Sequence, residues 1–180
     1  VTNINAAALN LTDETTYYVS VRATDGVGHV SGVVTTNGII ADHTGPSGTT
    51  VSDGDSTDIE LQNDLVSFSG NWESFSDEYS GMAYHEAALY DATGGIYIVN
   101  WTDVGEDTTT TFYGLTLVAG RTYEIHVRGV DLVGNTGAII ESDGVLIDLS
   151  APTVPVNLVG WFTTGRIFLE WTANTEPDLG

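Results

Sequence analysis

Along most of the chain, apolar and polar residues alternate over short stretches, and the period is two. Tyr17, Val19 and Val21 alternate with Tyr18, Ser20 and Arg22, and Tyr123, Ile125 and Val127 alternate with Glu124, His126 and Arg128. That is the pattern of a strand buried on one face. Around the middle of the chain the same reading predicts strands at about 49–52, 66–72, 83–90, 96–101, 109–113, 123–130 and 138–147. In the second of these Val66, Phe68 and Trp72 share one face and Ser67, Ser69 and Asn71 the other. Further strands are expected at 30–41 and around Ile167, Leu169 and Trp171. Gly, Asp and Asn turns punctuate them, and no stretch carries a sustained helical period.

The pattern repeats. Shifting the chain by 106 residues places 6–46 on 112–152 without a gap, and 12 of the 41 positions are identical. Leu9, Leu11, Thr16, Tyr17, Val21, Arg22, Asp25, Val27, Gly28, Gly38, Asp42 and Pro46 meet their own kind. Such self-similarity marks a repeat architecture. It divides the chain into the last strands of a first unit (1–42), one complete unit (43–149) and the first strands of a third (150–180). Thr44-Gly45-Pro46-Ser47-Gly48 and Ala151-Pro152-Thr153-Val154-Pro155 read as short linkers. The stretch from Trp171 to Gly180 parallels that from Trp72 to Gly81, with an acid five residues after each Trp. The chain begins within a repeat, so a longer parent array is expected. The predicted class is all-β, a tandem of seven-stranded β-sandwiches.

Charge narrows the partners. The chain has 25 acidic residues against four Arg, and its formal net charge is −21. Phosphate backbones and anionic membrane surfaces are repelled by such a surface. Nucleic acid is therefore excluded as a partner, whereas cations are attracted. No apolar run approaches the ~18 residues of a membrane helix, so no membrane insertion is expected of this segment. With no cysteine, disulfides and thiolate metal sites are excluded, and with no Lys a Lys–Asn cross-link is too.

Carboxylates supply the candidate chemistry. Asp53, Asp55, Asp58 and Glu60 crowd one short turn bent at Gly54, and hard oxygens at alternate loop positions suit Ca2+. The same residues also fit a solvated acidic loop. Asp25 and Asp131 each open an Asp-x-x-Gly turn, where a carboxylate accepts the turn's own N–H groups. A calcium reading joins Asp131 to Asp148, and Asp25 to Asp42, near the joints between units. Arg22 and Arg128, at matched positions, are expected to pair with cross-strand carboxylates. Catalytic motifs are absent: His85-Glu86 has Leu89 where a zinc-protease helix needs its second His. Tyr79, Tyr84, Tyr97, Trp101 and Tyr113 could line a sugar-stacking face, although strand packing is the ordinary use of such rings. Asn10-Leu11-Thr12 and Asn100-Trp101-Thr102 are glycosylation sequons.

Leu115-x-Leu117, Gly120, Tyr123-x-Ile125-x-Val127 and Asp131-x-x-Gly134-Asn135 resemble fibronectin type III and related immunoglobulin-like repeats. Tyr17 and Tyr123 stand where that family has its tyrosine corner, and Trp72 and Trp171 where it has its core tryptophan. The stretch WESFSDEYSGMAYHEAALYD is similar to repeats in long arrays of secreted bacterial proteins. The resemblance implies a non-catalytic stalk, spacer or adhesin at a cell surface or in a filament, with Ca2+ a candidate stiffener. Its partners would be neighbouring repeats of the same chain, other copies in a filament, or surface glycans and proteins. The competing expectation is a carbohydrate- or protein-binding accessory module of a large secreted hydrolase.

Overall fold

The computed structural model describes residues 3–175. Val1 and Thr2 of the first unit, and Glu176 and Gly180 in the Trp171 parallel, lie outside them. Fifteen strands occur in chain order among the described residues, and the chain is all-β. The first four are short: β1 (Thr15–Tyr17), β2 (Ser20–Val21), β3 (Val34–Thr35) and β4 (Ile39–Ala41). They pair as β1 with β4 and β2 with β3. Next come β5 (Val51–Asp53), β6 (Leu61–Gln62), β7 (Ser67–Trp72), β8 (Met82–Asp91), β9 (Ile96–Gly105) and β10 (Thr109–Tyr113). Then follow β11 (Thr122–Asp131), β12 (Ile140–Glu141) and β13 (Val145–Ile147). A hairpin of β14 (Val156–Thr163) and β15 (Arg166–Thr172) ends the described chain.

The strands from β5 to β13 make two facing sheets. One has the order β10-β7-β5, the other β6-β13-β11-β8-β9, with β12 beside β11. All pairings are antiparallel except that of β6 with β13. This is the layering of an immunoglobulin-like sandwich. Alternation explains the core: Phe68, Gly70 and Trp72 of β7 are buried while Ser67, Ser69 and Asn71 are only half-buried. Opposite them Tyr123, Ile125 and Val127 of β11 meet Ala87 and Leu89 of β8, with Val145 and Ile147 beside them. Gly70 permits a close approach of the two sheets, because a Cβ there would stand 2.5 Å from Ile125 Cδ1.

Both halves of the repeat fold alike down to single hydrogen bonds. The Tyr17 hydroxyl accepts the Thr12 N–H at 2.7 Å, and the Tyr123 hydroxyl accepts the Val118 N–H at 3.1 Å. Thr12 and Val118 are themselves 106 residues apart, so this is one tyrosine corner written twice. Burial differs, however. Val19 and Val21 are 55% and 58% exposed, whereas the matched Ile125 and Val127 are fully buried. Likewise Trp171 is 55% exposed and Trp72 only 6%. β7 and β11 face a filled sandwich; β2 and β15 do not.

The seven strands expected for the central unit become nine segments. Leu61–Gln62 pairs parallel with β13 where no strand was expected. The strand expected over 138–147 is broken into β12 and β13 at Ser142-Asp143-Gly144. There the Ser142 hydroxyl donates to Asp53 Oδ1 at 2.8 Å and the Gly144 N–H to Asp53 Oδ2 at 2.9 Å. The Ile125 N–H, freed from the ladder, goes to Ser142 Oγ at 2.9 Å. A buried carboxylate on the opposite sheet thus pulls the backbone out of register. Val66, expected to face inward with Phe68, precedes β7 and is exposed.

Candidate functional site

One set of groups that suits a cation gathers at the pole of the sandwich where β11 ends. Its register shifts between Val130 and Asp131, and the chain turns at once. Asp131 Oδ1 accepts the N–H groups of Val133 at 2.9 Å and Asn135 at 2.8 Å, and Oδ2 accepts Asn135 Nδ2 at 2.7 Å. Gly134 holds φ at +95°, a left-handed geometry suited to glycine. The matched turn is the same: Asp25 Oδ1 accepts Val27 and His29 N–H at 3.0 and 2.9 Å, with Gly28 at φ +94°. The plain turn-capping role of both aspartates is therefore real.

Asp131 does more than cap its turn. Asp77, in the loop after β7, accepts the N–H groups of Tyr79, Ser80 and Gly81 at 3.1, 2.8 and 2.8 Å. The Leu132 N–H donates to Gly81 O at 3.0 Å, which ties this loop to the Asp131 turn. Asp42, just after β4, reaches in from the preceding segment, and its Oδ2 accepts the Ser80 N–H at 3.1 Å. One carboxylate oxygen from each of Asp42, Asp77 and Asp131 lies within 4.8 Å of the others. Asn135 Nδ2 also donates to Asp42 O at 3.1 Å and Thr44 O at 3.3 Å. Burial alone would raise the Asp131 carboxyl, but hydrogen bonds from Asn135, Ser80 and Val133 outweigh it and hold the pKa below 3.8.

A second acidic group surrounds Asp53, which is fully buried. Asp58 Oδ1 accepts the Asp53 N–H at 3.1 Å, and Asp143 completes a set of three carboxylates within 4.8 Å. Burial pushes the Asp53 pKa from 3.8 to about 6. The Ser142 and Gly144 hydrogen bonds oppose that rise, and the Asp58 and Asp143 charges add to it.

Of the residues singled out in the sequence, Asp53 and Asp58 are thus brought together, with Asp143 instead of Asp55 or Glu60. Asp55 and Glu60 are exposed, and Asp55 accepts the hydroxyl of neighbouring Ser56 at 3.3 Å. The expected pairing of Asp131 with Asp148 is corrected. Ile147 N–H donates to Arg121 O, so Asp148 stands at the start of β11 and Asp131 at its end. Ten residues at strand rise separate them by about 30 Å. Asp148 caps Ser150 instead, and that hydrogen bonding lowers its pKa. Asp25 and Asp42 are likewise at opposite ends of the first unit's strands. Asp77 and Asp143 were missed; the signal for Asp77 was its place five residues after Trp72.

Arg128 pairs as expected: it faces Glu86 across β11 and β8, with Nε 2.7 Å from Oε2. Arg22 has no ion pair among the described residues. Arg128 also lies over Trp101, 4.3 Å from its centroid, and the Tyr97 and Trp101 rings meet at 51°. Rings so tilted and covered do not form the flat platform that sugar stacking uses.

No family model matches the chain, and no curated protein matches it. Solved structures do. A segment of titin domains is similar at 16% identity over 77% of this chain and 43% of its own, with a TM-score of 0.49. The FN1-FN3 domains of chicken CNTN1 are similar at 15% identity over 91% and 54%, with a TM-score of 0.44. The twitchin kinase region from C. elegans is similar at 20% identity over 59% and 18%, with a TM-score of 0.38. The chain thus spans about half or less of the length of these three.

Proposed function

We propose that this chain is a non-catalytic spacer segment of an extracellular, bacterial surface protein or filament, in which β-sandwich units follow one another through stiff joints. The observation that carries the reading is the lock between Asp42 and the Asp131–Asn135 turn. Asn135 holds the carbonyls of Asp42 and Thr44 while Asp42 Oδ2 accepts from Ser80. Pro46 is buried in the same joint. A linker hydrogen-bonded on both sides transmits orientation, which a flexible tether does not. The net charge of −21 keeps neighbouring copies apart and draws cations to the joint. Its first partners are the neighbouring repeats of the same chain; other copies in a filament and surface glycans or proteins come next.

Calcium is the cation this reading assigns to Asp42, Asp77 and Asp131, since the ion takes roughly six to eight hard oxygens and tolerates irregular geometry. Bringing three carboxylates together is repulsive without a counter-charge and favourable with one. Thermal unfolding of the chain in Ca2+ and in excess chelator tests the assignment. An ion bound only by the folded state adds about 2.7 kcal/mol at a hundredfold excess over Kd. Asp77→Asn should abolish most of that shift. A shift no larger than matched ionic strength gives would remove calcium from the account.

A further inference from the structure

The outer face of the larger sheet carries a group of a different kind. His126 Nε2 lies 3.2 Å from Glu124 Oε2 and 3.8 Å from Glu141 Oε2, and the three ligand atoms all fall within 4.8 Å of one another. His126 is directly opposite Glu141 in the β11–β12 register, and Glu124 is on the same face two residues away. The imidazole is nearly buried, at 5% exposure, although it stands on the outward side of its strand. Tyr90 stacks on it at 4.8 Å and Tyr97 covers its edge at 5.5 Å. The Tyr97 hydroxyl is 3.1 Å from Nδ1, which fixes the ring with Nε2 aimed at the carboxylates.

Packing does not call for this arrangement. At the matched positions of the first repeat stand Tyr18, Ser20 and Thr35, where Ser20 and Thr35 share a 2.8 Å hydroxyl hydrogen bond. The framework residues around them are duplicated, yet these three positions all differ, and in the central unit all three bear ligand atoms. The imidazole can satisfy one carboxylate with one N–H, and Glu141 accepts no hydrogen bond among the described residues. A cation between the three would resolve the crowding. Ligand atoms about 2.1 Å from a tetrahedral Zn2+ stand about 3.4 Å apart, between the two separations seen here.

We propose that Glu124, His126 and Glu141 form a three-ligand site for a divalent cation of the Zn2+ class, with Tyr97 orienting the histidine and a fourth position open to solvent. One imidazole and two carboxylates suit such an ion better than Ca2+, which prefers oxygen alone. The ion would pin the short strand β12 to β11. Its open position faces solvent, because the Glu141 side chain is 67% exposed, and could accept water or a side chain from another molecule.

Calorimetric titration of the chain with ZnCl2, in a non-coordinating buffer with millimolar Ca2+ present, tests this. One site per chain is expected, and Glu141→Gln, a substitution at an exposed side chain, should weaken it at least about tenfold. Tyr97→Phe should weaken it about tenfold through the freed ring. Co2+ in place of Zn2+ should give the intense visible bands of a four-coordinate site, and His126→Gln should lose them. Zn2+ binding that survives Glu141→Gln and His126→Gln would assign the ion to other carboxylates or histidines and overturn the proposal. Absence of binding to the unaltered chain would overturn it too.

Discussion

Asp53 offers a test in which the sign of the effect is as informative as its size. Its carboxylate is fully buried between the sheets and accepts from the Ser142 hydroxyl and the Gly144 N–H. Burial raises its pKa from 3.8 to about 6, with Asp58 and Asp143 adding to the rise. The folded state therefore holds this proton more tightly than the unfolded state. Stability from the group is fully present below 3.8 and is lost as pH rises through about 6. The whole interval corresponds to about 3 kcal/mol, of which about 1 kcal/mol falls between pH 7 and pH 5. Asp53→Asn preserves the shape and removes the titration. Thermal unfolding of both proteins at both pH values cancels the titrating groups that do not interact with Asp53. The unaltered chain should gain on the variant by about 1 kcal/mol on acidification, a shift of roughly 2–4 °C. Parallel profiles would refute the reasoning, and a gain in the other direction would mean that the two hydrogen bonds outweigh burial.

Three further outcomes are expected. Tyr123→Phe strands the Val118 N–H at the tyrosine corner and should destabilise the chain by about 1–2 kcal/mol in urea unfolding; an unchanged midpoint would deny the corner its role. Gly70→Ala places a methyl against Ile125 and should cost about 1–3 kcal/mol in the same assay, unless the sheets can part without loss. Asp131 behaves oppositely to Asp53: its pKa is lowered, so its contribution is present above the ordinary carboxyl range and lost as pH falls below it. Asp131→Asn should thus flatten the loss of stability as pH falls below the ordinary carboxyl range, and an unaltered acid limb would contradict the hydrogen-bond account.

Much of the fold was legible because strand alternation is local. The burial of Tyr123, Ile125 and Val127, and the tyrosine corner, follow from residues a few places apart. The break at Ser142–Gly144 was not legible, since its cause is Asp53, 89 residues away on the other sheet. The acidic sites show the same limit. Periodicity locates Asp131 and Asp148 at strand ends without telling which ends share a pole. Asp148 is 17 residues from Asp131 in sequence and about 30 Å away along β11. Asp42, much farther along the chain, is the residue that meets it. The cross-strand pairing of Arg128 was readable as a type of contact, but its partner Glu86 needed the register. His126 read only as a polar residue on the outward face of its strand, because Glu141 reaches it through the pairing of β12 with β11.

The joint at Asp42 is the centre of the account, and its geometry can be measured directly. The chain has no cysteine, so spin labels at Val27→Cys and Tyr113→Cys, both exposed positions on either side of the joint, report one distance without interference. Pulsed electron–electron resonance should give a single narrow distance in Ca2+, broadened by a chelator and by Asn135→Ala. A broad distribution in Ca2+ would contradict a stiff joint and with it the spacer function.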